Sequence, residues 1–279
     1  MALKQEDYDF FKDNGYLSLG KMLSDAEVTR FVDILDGDRR DFSRFWINNG
    51  IWQSLNCDAL LTAPDVDELV RHCNAMEPLE SLMGEGVCFS EICLRHMGPY
   101  QGEPIAAMSS WEGPAGRRWH RDGGKGLVWP EHPLRLGNVQ IMIYLSDVSD
   151  ATHGFALSPQ SIDQEIVDND VQLERGGVFE VFGCAGTAML FNPSCLHTVT
   201  VRPTQSERKS VQIYYGHRHR KYLSEDSYIP SELWRDHPDE EVRGFYGVLN
   251  NKTRKYLERT TGRNEIPVGE ALEILAAMA

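Results

Sequence analysis

The hydrophobic pattern changes its period along the chain, and this change constrains the fold more than any other feature. From about residue 87 to residue 217, apolar and polar residues alternate in short runs that glycine and proline interrupt. Many short strands separated by turn residues are typical of a β-sandwich or barrel. The sequence therefore predicts a mainly β core. Its candidate strands are 87–97, 105–111, 138–146, 154–157, 178–182, 186–191, 197–201 and 208–217.

Helical patterns flank this region on both sides. Ser24 and Glu27 have the spacing of a capping box, and apolar residues at helical spacing follow them. Asn14-Gly15 is expected to end an earlier helix, a short strand is expected at 16–19, and Pro64 is expected to begin a third helix. No linker or repeat divides the 279 residues. We expect a single domain over residues 1–279, with a helical N-terminal region (1–86), a β core (87–217) and a helical C-terminal region (218–279).

The charge balance limits the possible partners. The chain has 28 Lys and Arg against 42 Asp and Glu, a net charge of −14, which repels nucleic acid and anionic membranes. Its longest apolar runs fall far short of the roughly 18 residues of a membrane-spanning helix, and its N-terminus does not resemble a secretion signal. The six cysteines form no CxxC pair. We expect reduced core thiols in a cytoplasmic protein that binds a small molecule.

His120 and Asp122 form the strongest local motif, an H-x-D followed by two glycines. On an extended segment, residues i and i+2 point the same way, so both side chains can face one metal ion. The alternative interpretation is a hydrogen-bonded surface His–Asp pair. His197, which follows an apolar strand and a turn, is the candidate third ligand, although an ordinary core histidine also fits that position. Two histidines and one carboxylate are the ligand set of non-haem Fe(II) sites.

Two further strands carry polar residues that fit such a site. In 208–217, Arg208 and Ser210 share one face, and a guanidinium beside a hydroxyl is a good receptor for a carboxylate. In 138–146, Asn138 and Gln140 share a face with Met142, opposite a fully aliphatic face. We interpret this polar face as a cavity wall with Gln140 and Asn138 as hydrogen-bond donors. An exposed edge strand is the alternative.

H-x-D, a distal histidine and R-x-S about ten residues later resemble the Fe(II)/2-oxoglutarate-dependent oxygenases, and within them the phytanoyl-CoA dioxygenase family. The resemblance covers roughly 8–217 and includes the segments 11–17, 143–148 and 186–191. It implies a double-stranded β-helix, or jelly roll, of the cupin-like kind, with flanking N- and C-terminal helices. It also implies iron held by His120, Asp122 and His197, and 2-oxoglutarate gripped by Arg208 and Ser210.

The same resemblance implies the activity. The expected reaction is hydroxylation or another oxidation of an unactivated C–H in a small-molecule metabolite, with Fe(II), 2-oxoglutarate and O2, release of succinate and CO2, and ascorbate as the reductant in vitro. Two alternatives stay open: a cupin-like metal-dependent isomerase or hydrolase that does not use 2-oxoglutarate, and a non-catalytic jelly-roll binding protein. We interpret the basic residues near the first motif as a rim for an anionic substrate, and the tryptophans there as the wall of a hydrophobic pocket. Solvated surface charge and ordinary core packing are the alternatives. The candidate substrate residues are Trp119, Arg117, Arg121, Met142 and Trp129.

Overall fold

The computed structural model describes residues 3–50, 52–104, 119–122, 129–219 and 226–259. The expected strand 105–111 lies outside these residues. Within them, ten strands form two antiparallel sheets. The strands are β1 (Tyr16–Lys21), β2 (Ile47–Asn49), β3 (Gln53–Asn56), β4 (Val87–Met97), β5 (Asn138–Tyr144), β6 (Gly154–Leu157), β7 (Phe179–Val181), β8 (Thr187–Phe191), β9 (His197–Thr200) and β10 (Arg208–His217).

The larger sheet has seven strands in the order β1-β8-β5-β10-β4-β3-β2, and the smaller has three in the order β7-β6-β9. Two sheets built from neighbours that are distant in sequence are the arrangement of a jelly roll. The fold is therefore the predicted mainly β jelly roll with helices at both ends. Its central strand is β10, which pairs along its length with β4 and over seven residues with β5.

The period-two pattern of the central strands divides the interior into two apolar clusters. Val211 and Ile213 of β10 and Ile141 of β5 face the helices and belong to the main cluster. Met142 and Tyr144 point the other way, into a cluster between the two sheets. Full burial of one such aliphatic side chain stabilises the fold by roughly 1.5–3 kcal/mol, so a one-residue slip in register would be costly.

The N-terminal region contains more β structure than the sequence predicts. β1, the strand expected at 16–19, forms one edge of the large sheet, and the unpredicted β2–β3 hairpin forms the other edge. The expected helix from Pro64 is also interrupted: a 3-10 turn and a short helix end at Val70, and a new helix begins at Cys73. His72 caps that new helix, because its side chain accepts from the N–H of Asn74. Local pairing and capping therefore override the helical periodicity here.

The helices otherwise follow the expected pattern. Gly15 ends α1 in a left-handed conformation, and the Ser24–Glu27 capping box opens α2. No helix in the described ranges has the length and apolar character needed to cross a bilayer. The helices are α1 (Gln5–Asn14), α2 (Asp25–Asp41), α3 (Ala59–Thr62), α4 (Asp67–Val70), α5 (Cys73–Met83), α6 (Asn169–Gly176), α7 (Ser231–Trp234), α8 (Glu240–Tyr246) and α9 (Asn251–Arg259).

The cysteines are only partly core residues. Cys88, Cys93 and Cys195 are buried, whereas Cys73 and Cys184 are exposed, which corrects the expectation that all six lie in the core. Cys73 is the first residue of α5, and Cys184 lies in the turn before β8. Helix ends and turns lie at the surface, so a cysteine at either position is exposed.

Candidate active site

Two segments that are far apart in the sequence lie side by side at the β9 edge of the smaller sheet. The N–H of His120 donates to the carbonyl of His197 at 3.0 Å, and the N–H of His197 donates to the carbonyl of His120 at 2.9 Å. The N–H of Asp122 donates to the carbonyl of Pro193 at 2.9 Å. These backbone bonds bring the H-x-D motif against the start of β9.

The three side chains converge. One ligand atom from each of His120, Asp122 and His197 lies within 4.8 Å of the others, and no other such group of His, Cys, Asp or Glu occurs among the described residues. The Oδ1 atom of Asp122 is 3.6 Å from Nε2 of His120, and its Oδ2 atom is 3.4 Å from Nε2 of His197. Two imidazole nitrogens and a carboxylate at this spacing can hold a divalent metal ion.

His197 is set in the tautomer that a metal ligand requires. Its Nδ1 atom lies 2.8 Å from the carbonyl oxygen of Cys195. Because a carbonyl only accepts, Nδ1 carries a proton, which leaves Nε2, the atom that faces Asp122, as the one that can bind a metal. The His197 side chain is 3% exposed, whereas those of His120 and Asp122 are 29% and 27% exposed. The group is thus anchored on one side and accessible on the other.

A hydrogen-bond network fixes the carboxylate of Asp122. Gln140 Nε2 and the Tyr214 hydroxyl each donate to its Oδ2 atom at 3.0 Å. Gln212 Nε2 in turn donates to Oε1 of Gln140 at 2.9 Å. Burial alone would raise the pKa of Asp122, but the adjacent His197 and His120 and the Tyr214 hydroxyl outweigh it, and the pKa falls well below its usual range. Gln140, expected to contact a cofactor, here orients Asp122.

Arg208 is a buried cation without an acidic partner in the described residues. It is 2% exposed; its Nη1 atom donates to the carbonyl of Gly154, and its Nη2 atom lies 3.5 Å from the Ser210 hydroxyl. Its Nε atom is buried with no hydrogen-bond partner. Burial lowers the pKa of Arg208 to about 10. An uncompensated buried guanidinium is costly, so the arrangement suits an anionic ligand.

The candidate ligands and Arg208 line one cavity between the two sheets. Met142, predicted as a substrate residue, also lines it. Its full lining is Asn49, Gln53, Arg95, His120, Asp122, Met142, Phe155, His197, Thr198, Val199, Arg208, Gln212 and Tyr214.

Several predicted site residues lie elsewhere. Trp119 packs with Ala156, Leu173 and Leu196 in a separate apolar cluster and does not line the cavity. Trp129 stacks on His132 at 5.3 Å between ring centroids. In both cases the large ring packs against other side chains, and neither residue is among the described lining of the cavity; their role in binding a substrate stays a prediction.

Two polar predictions also change. Arg121 donates from Nη1 to Gln160 and to the carbonyl of Ser194, because the strand-like period turns it away from its neighbours His120 and Asp122. Asn138 is buried with no partner on either side-chain polar atom and is absent from the cavity lining. Arg117 lies outside the described residues.

Some lining residues were missed, and one signal could have found two of them. Gln212 and Tyr214 continue the period of two that joins Arg208 to Ser210, so extending that face along β10 predicts both. Arg95 could not be predicted as a site residue, because β4 is buried on both faces and its sequence is typical of an apolar strand. Asn49 and Gln53 lie on the hairpin that was expected to be helical.

Comparison with known proteins gives structural matches only. No protein-family model matches the chain, and no curated protein matches it. The iron-bound structure of EctD from S. alaskensis matches with a TM-score of 0.62 at 15% identity, over 82% of each chain. SnoK, a non-haem α-ketoglutarate-dependent carbocyclase from nogalamycin biosynthesis, matches with a TM-score of 0.61 at 17% identity, over 77% of this chain and 84% of its own.

HygX from Streptomyces hygroscopicus, solved with nickel and 2-oxoglutarate bound, matches with a TM-score of 0.58 at 18% identity. The match covers 88% of this chain and 96% of HygX. Identities this low establish the fold alone. The chain thus has the jelly-roll fold of non-haem iron, 2-oxoglutarate-dependent enzymes, with a His–Asp–His group inside it.

Proposed function

We propose that this protein is an Fe(II)- and 2-oxoglutarate-dependent oxygenase that hydroxylates or otherwise oxidises a C–H bond of a small molecule and releases succinate and CO2. The observation that carries the proposal is a single cavity with two functions. The converging side chains of His120, Asp122 and His197 line it. The guanidinium of Arg208, which is buried and has no acidic partner among the described residues, lines it too. An isomerase or hydrolase without 2-oxoglutarate has no use for that guanidinium.

The donor set fits iron. Two neutral imidazoles and one carboxylate leave coordination positions open for a co-substrate and O2, which is the requirement of a non-haem Fe(II) oxygenase. His120, Asp122 and His197 would hold the ion, and the bonds from Gln140 and Tyr214 would keep the carboxylate in place as the ion binds. O2 would be the oxidant at the bound iron: two of its four electrons would come from 2-oxoglutarate, which becomes succinate and CO2, and two from the C–H bond of the substrate.

Arg208 and Ser210 would bind the far carboxylate of 2-oxoglutarate. The guanidinium is already held by the carbonyl of Gly154, so little conformational freedom is lost when it accepts a carboxylate. Phe155, Val199 and Met142 line the same cavity with apolar groups. They would exclude water from the reacting C–H bond and strengthen the charged contacts next to them.

The comparisons support this proposal through what the neighbours are. HygX is solved with nickel and 2-oxoglutarate, and also with hygromycin B bound, so one neighbour with this fold binds a small molecule beside its metal and 2-oxoglutarate. SnoK is a carbocyclase and SnoN an epimerase. We assign the chain, on its motifs, to the phytanoyl-CoA dioxygenase branch of the oxygenases. We favour hydroxylation within the range of oxidations that such sites perform, with ascorbate as the reductant in vitro.

The first test measures metal binding and 2-oxoglutarate binding separately. Under anaerobic conditions, purified protein is titrated with Fe(II) and then with 2-oxoglutarate, and the charge-transfer absorption of the ternary complex is followed. His197→Ala should lose metal binding. Arg208→Met should keep the metal but weaken 2-oxoglutarate binding, by more than about 100-fold, since a charged pair is lost from a buried position.

Lys209→Met is the matched control, because Lys209 lies next to Arg208 on the opposite face of β10 and pairs with Asp36 at 2.6 Å. Its 2-oxoglutarate affinity should equal that of the wild type. Metal binding without 2-oxoglutarate binding would instead favour the isomerase or hydrolase. A wild-type protein that binds neither would be a non-catalytic jelly-roll protein. Substrate-dependent release of succinate then completes the test.

A further inference from the structure

Arg95 is a second guanidinium in the cavity, and the proposed function gives it no partner. It lies on β4 directly opposite Ser210 of β10, so its side chain leaves the sheet on the same face as that of Ser210. The strand order β10-β4-β3-β2 puts Arg95 between Arg208 and the β2–β3 hairpin. Asn49 and Gln53 of that hairpin line the cavity with it.

The guanidinium of Arg95 has neither a hydrogen bond nor an ion pair to any residue in the described ranges, and its Nε atom is buried without a partner. Asp122 supplies the one carboxylate among the described lining residues, and it already accepts from Gln140 and Tyr214. A guanidinium that loses hydration without gaining a charged hydrogen bond is destabilising. The position therefore points to an anionic ligand that comes from outside the chain.

The charge balance of the cavity indicates how much negative charge this ligand carries. Among the described lining residues, the charged groups are Arg95 and Arg208 against Asp122, which leaves one net positive charge. A divalent metal and the doubly negative 2-oxoglutarate cancel each other. The loaded lining thus keeps one positive charge. Glu91, a buried acid on the same face of β4 but outside the lining, attracts Arg95 electrostatically without forming a hydrogen bond to it.

We infer that Arg95, with the amides of Asn49 and Gln53, forms a subsite for a carboxylate group of the primary substrate. This inference rests on the proposed function and adds the substrate class: a small monocarboxylate. A carboxylate matches the single residual charge, and its two oxygens fit the two parallel donors of a guanidinium. A phosphate ester would bring about −1.5 to −2 charges and leave the cavity overcharged.

The test uses matched probes that differ in charge alone. Protein loaded with Zn(II), which is diamagnetic, and saturated with 2-oxoglutarate is titrated with benzoate, benzamide and phenyl phosphate, and binding is read by ligand-observed NMR. Benzoate should bind at least about tenfold more tightly than benzamide, the equivalent of about 1.4 kcal/mol. Arg95→Met should remove that preference. Arg95→Lys should keep part of it, because lysine supplies the positive charge but not the two parallel donors of a guanidinium.

Arg39→Met is the control, because Arg39 contacts His96, the neighbour of Arg95, on the other face of β4. It should bind benzoate like the wild type. Unfolding midpoints and 2-oxoglutarate affinity are measured for every variant, and Arg95→Met should keep 2-oxoglutarate affinity within about twofold of the wild type, well inside the ~1.4 kcal/mol of a tenfold change.

The outcomes separate this inference from the proposed function. If Arg95→Met loses 2-oxoglutarate instead, Arg95 binds the co-substrate, and the inference is overturned while the oxygenase proposal stands. Equal binding of acid and amide by the wild type, or preferential binding of phenyl phosphate, would also overturn it. If the wild type fails to bind 2-oxoglutarate at all, the proposed function fails first.

Discussion

At the scale of single residues, the orientation of Asp122 depends on groups that do not touch a metal. The hydroxyl of Tyr214 donates to Oδ2 of Asp122 from a position where burial raises the phenol pKa well above its usual range. The phenol therefore stays protonated and acts as a donor. Residues that orient a ligand in this way commonly change metal affinity by about 10–100-fold when they are replaced.

We predict that Tyr214→Phe weakens Mn(II) binding by about tenfold, because one of the two donors to Asp122 is lost while Gln140 remains. Isothermal titration calorimetry measures the change. Tyr215→Phe is the matched control: its hydroxyl donates to the carbonyl of Val70 on the other face of β10. That variant should lose about 1 kcal/mol of stability and no metal affinity. Equal Mn(II) affinity in Tyr214→Phe and the wild type would contradict a positioning role.

At the scale of elements, the end of α1 supports the turn that leads to the metal site. Gly15 ends the helix with a φ of +73°, and its carbonyl accepts from the N–H of Asn192 at 2.8 Å. The N–H of Cys195 donates to the carbonyl of Asn192, and the carbonyl of Cys195 accepts from His197. A shift of the helix end is thereby transmitted through the turn to a candidate ligand.

We predict that Gly15→Ala destabilises the fold by more than about 1 kcal/mol and also weakens metal binding. A Cβ at this position would lie 2.3 Å from Sγ of Cys195 and 2.8 Å from the carbonyl oxygen of Gln160. Gly20→Ala is the control, since Gly20 has a φ of +64° and no atom near its Cβ position. Urea unfolding and Mn(II) titration compare the two. Identical effects would mean that only the backbone conformation matters.

At the scale of the whole molecule, three buried histidines link loops to strands in their neutral form. In each, Nε2 lies against a backbone carbonyl, and Nδ1 accepts from a backbone N–H. His153, for example, joins the carbonyl of Gly98 at 2.9 Å to the N–H of Arg202 at 3.3 Å. His132 and His217 make the same two kinds of bond. A proton on Nδ1 would break one such bond at His153 and at His217, and two at His132.

We predict that the metal-free protein loses stability on acidification. Burial lowers the pKa of His132, His153 and His217 in the folded state, so the unfolded chain binds more protons in the range below the ordinary histidine value. The free energy of unfolding should therefore be highest above about pH 6.5 and fall as the pH drops toward the folded-state pKa values. Urea unfolding in the presence of a metal chelator measures this free energy at both ends of that pH range. Equal stability at the two ends would refute the interpretation.

The period-two pattern predicted most of the fold because alternation is a local property. β4, β6 and β10 have the expected bounds, since turn residues mark where these runs begin or end. The β2–β3 hairpin was missed because its short strands gain their stability from pairing with β4, and that contact is not visible in a local window. The break after Val70 was missed because a histidine cap carries a weak sequence signal.

The sequence alone determined which chemical groups are available: an H-x-D, a distal histidine and an R-x-S with fixed spacings. It also determined the faces on which Arg208, Ser210 and Met142 lie, because side-chain direction along a strand follows the chain itself. Tertiary structure decided which groups meet. The pairing of His120 with His197, the donation from Tyr214 to Asp122, and the position of Arg95 in the cavity all depend on contacts between distant segments. Such contacts arise from sheet order and packing, which no local pattern encodes.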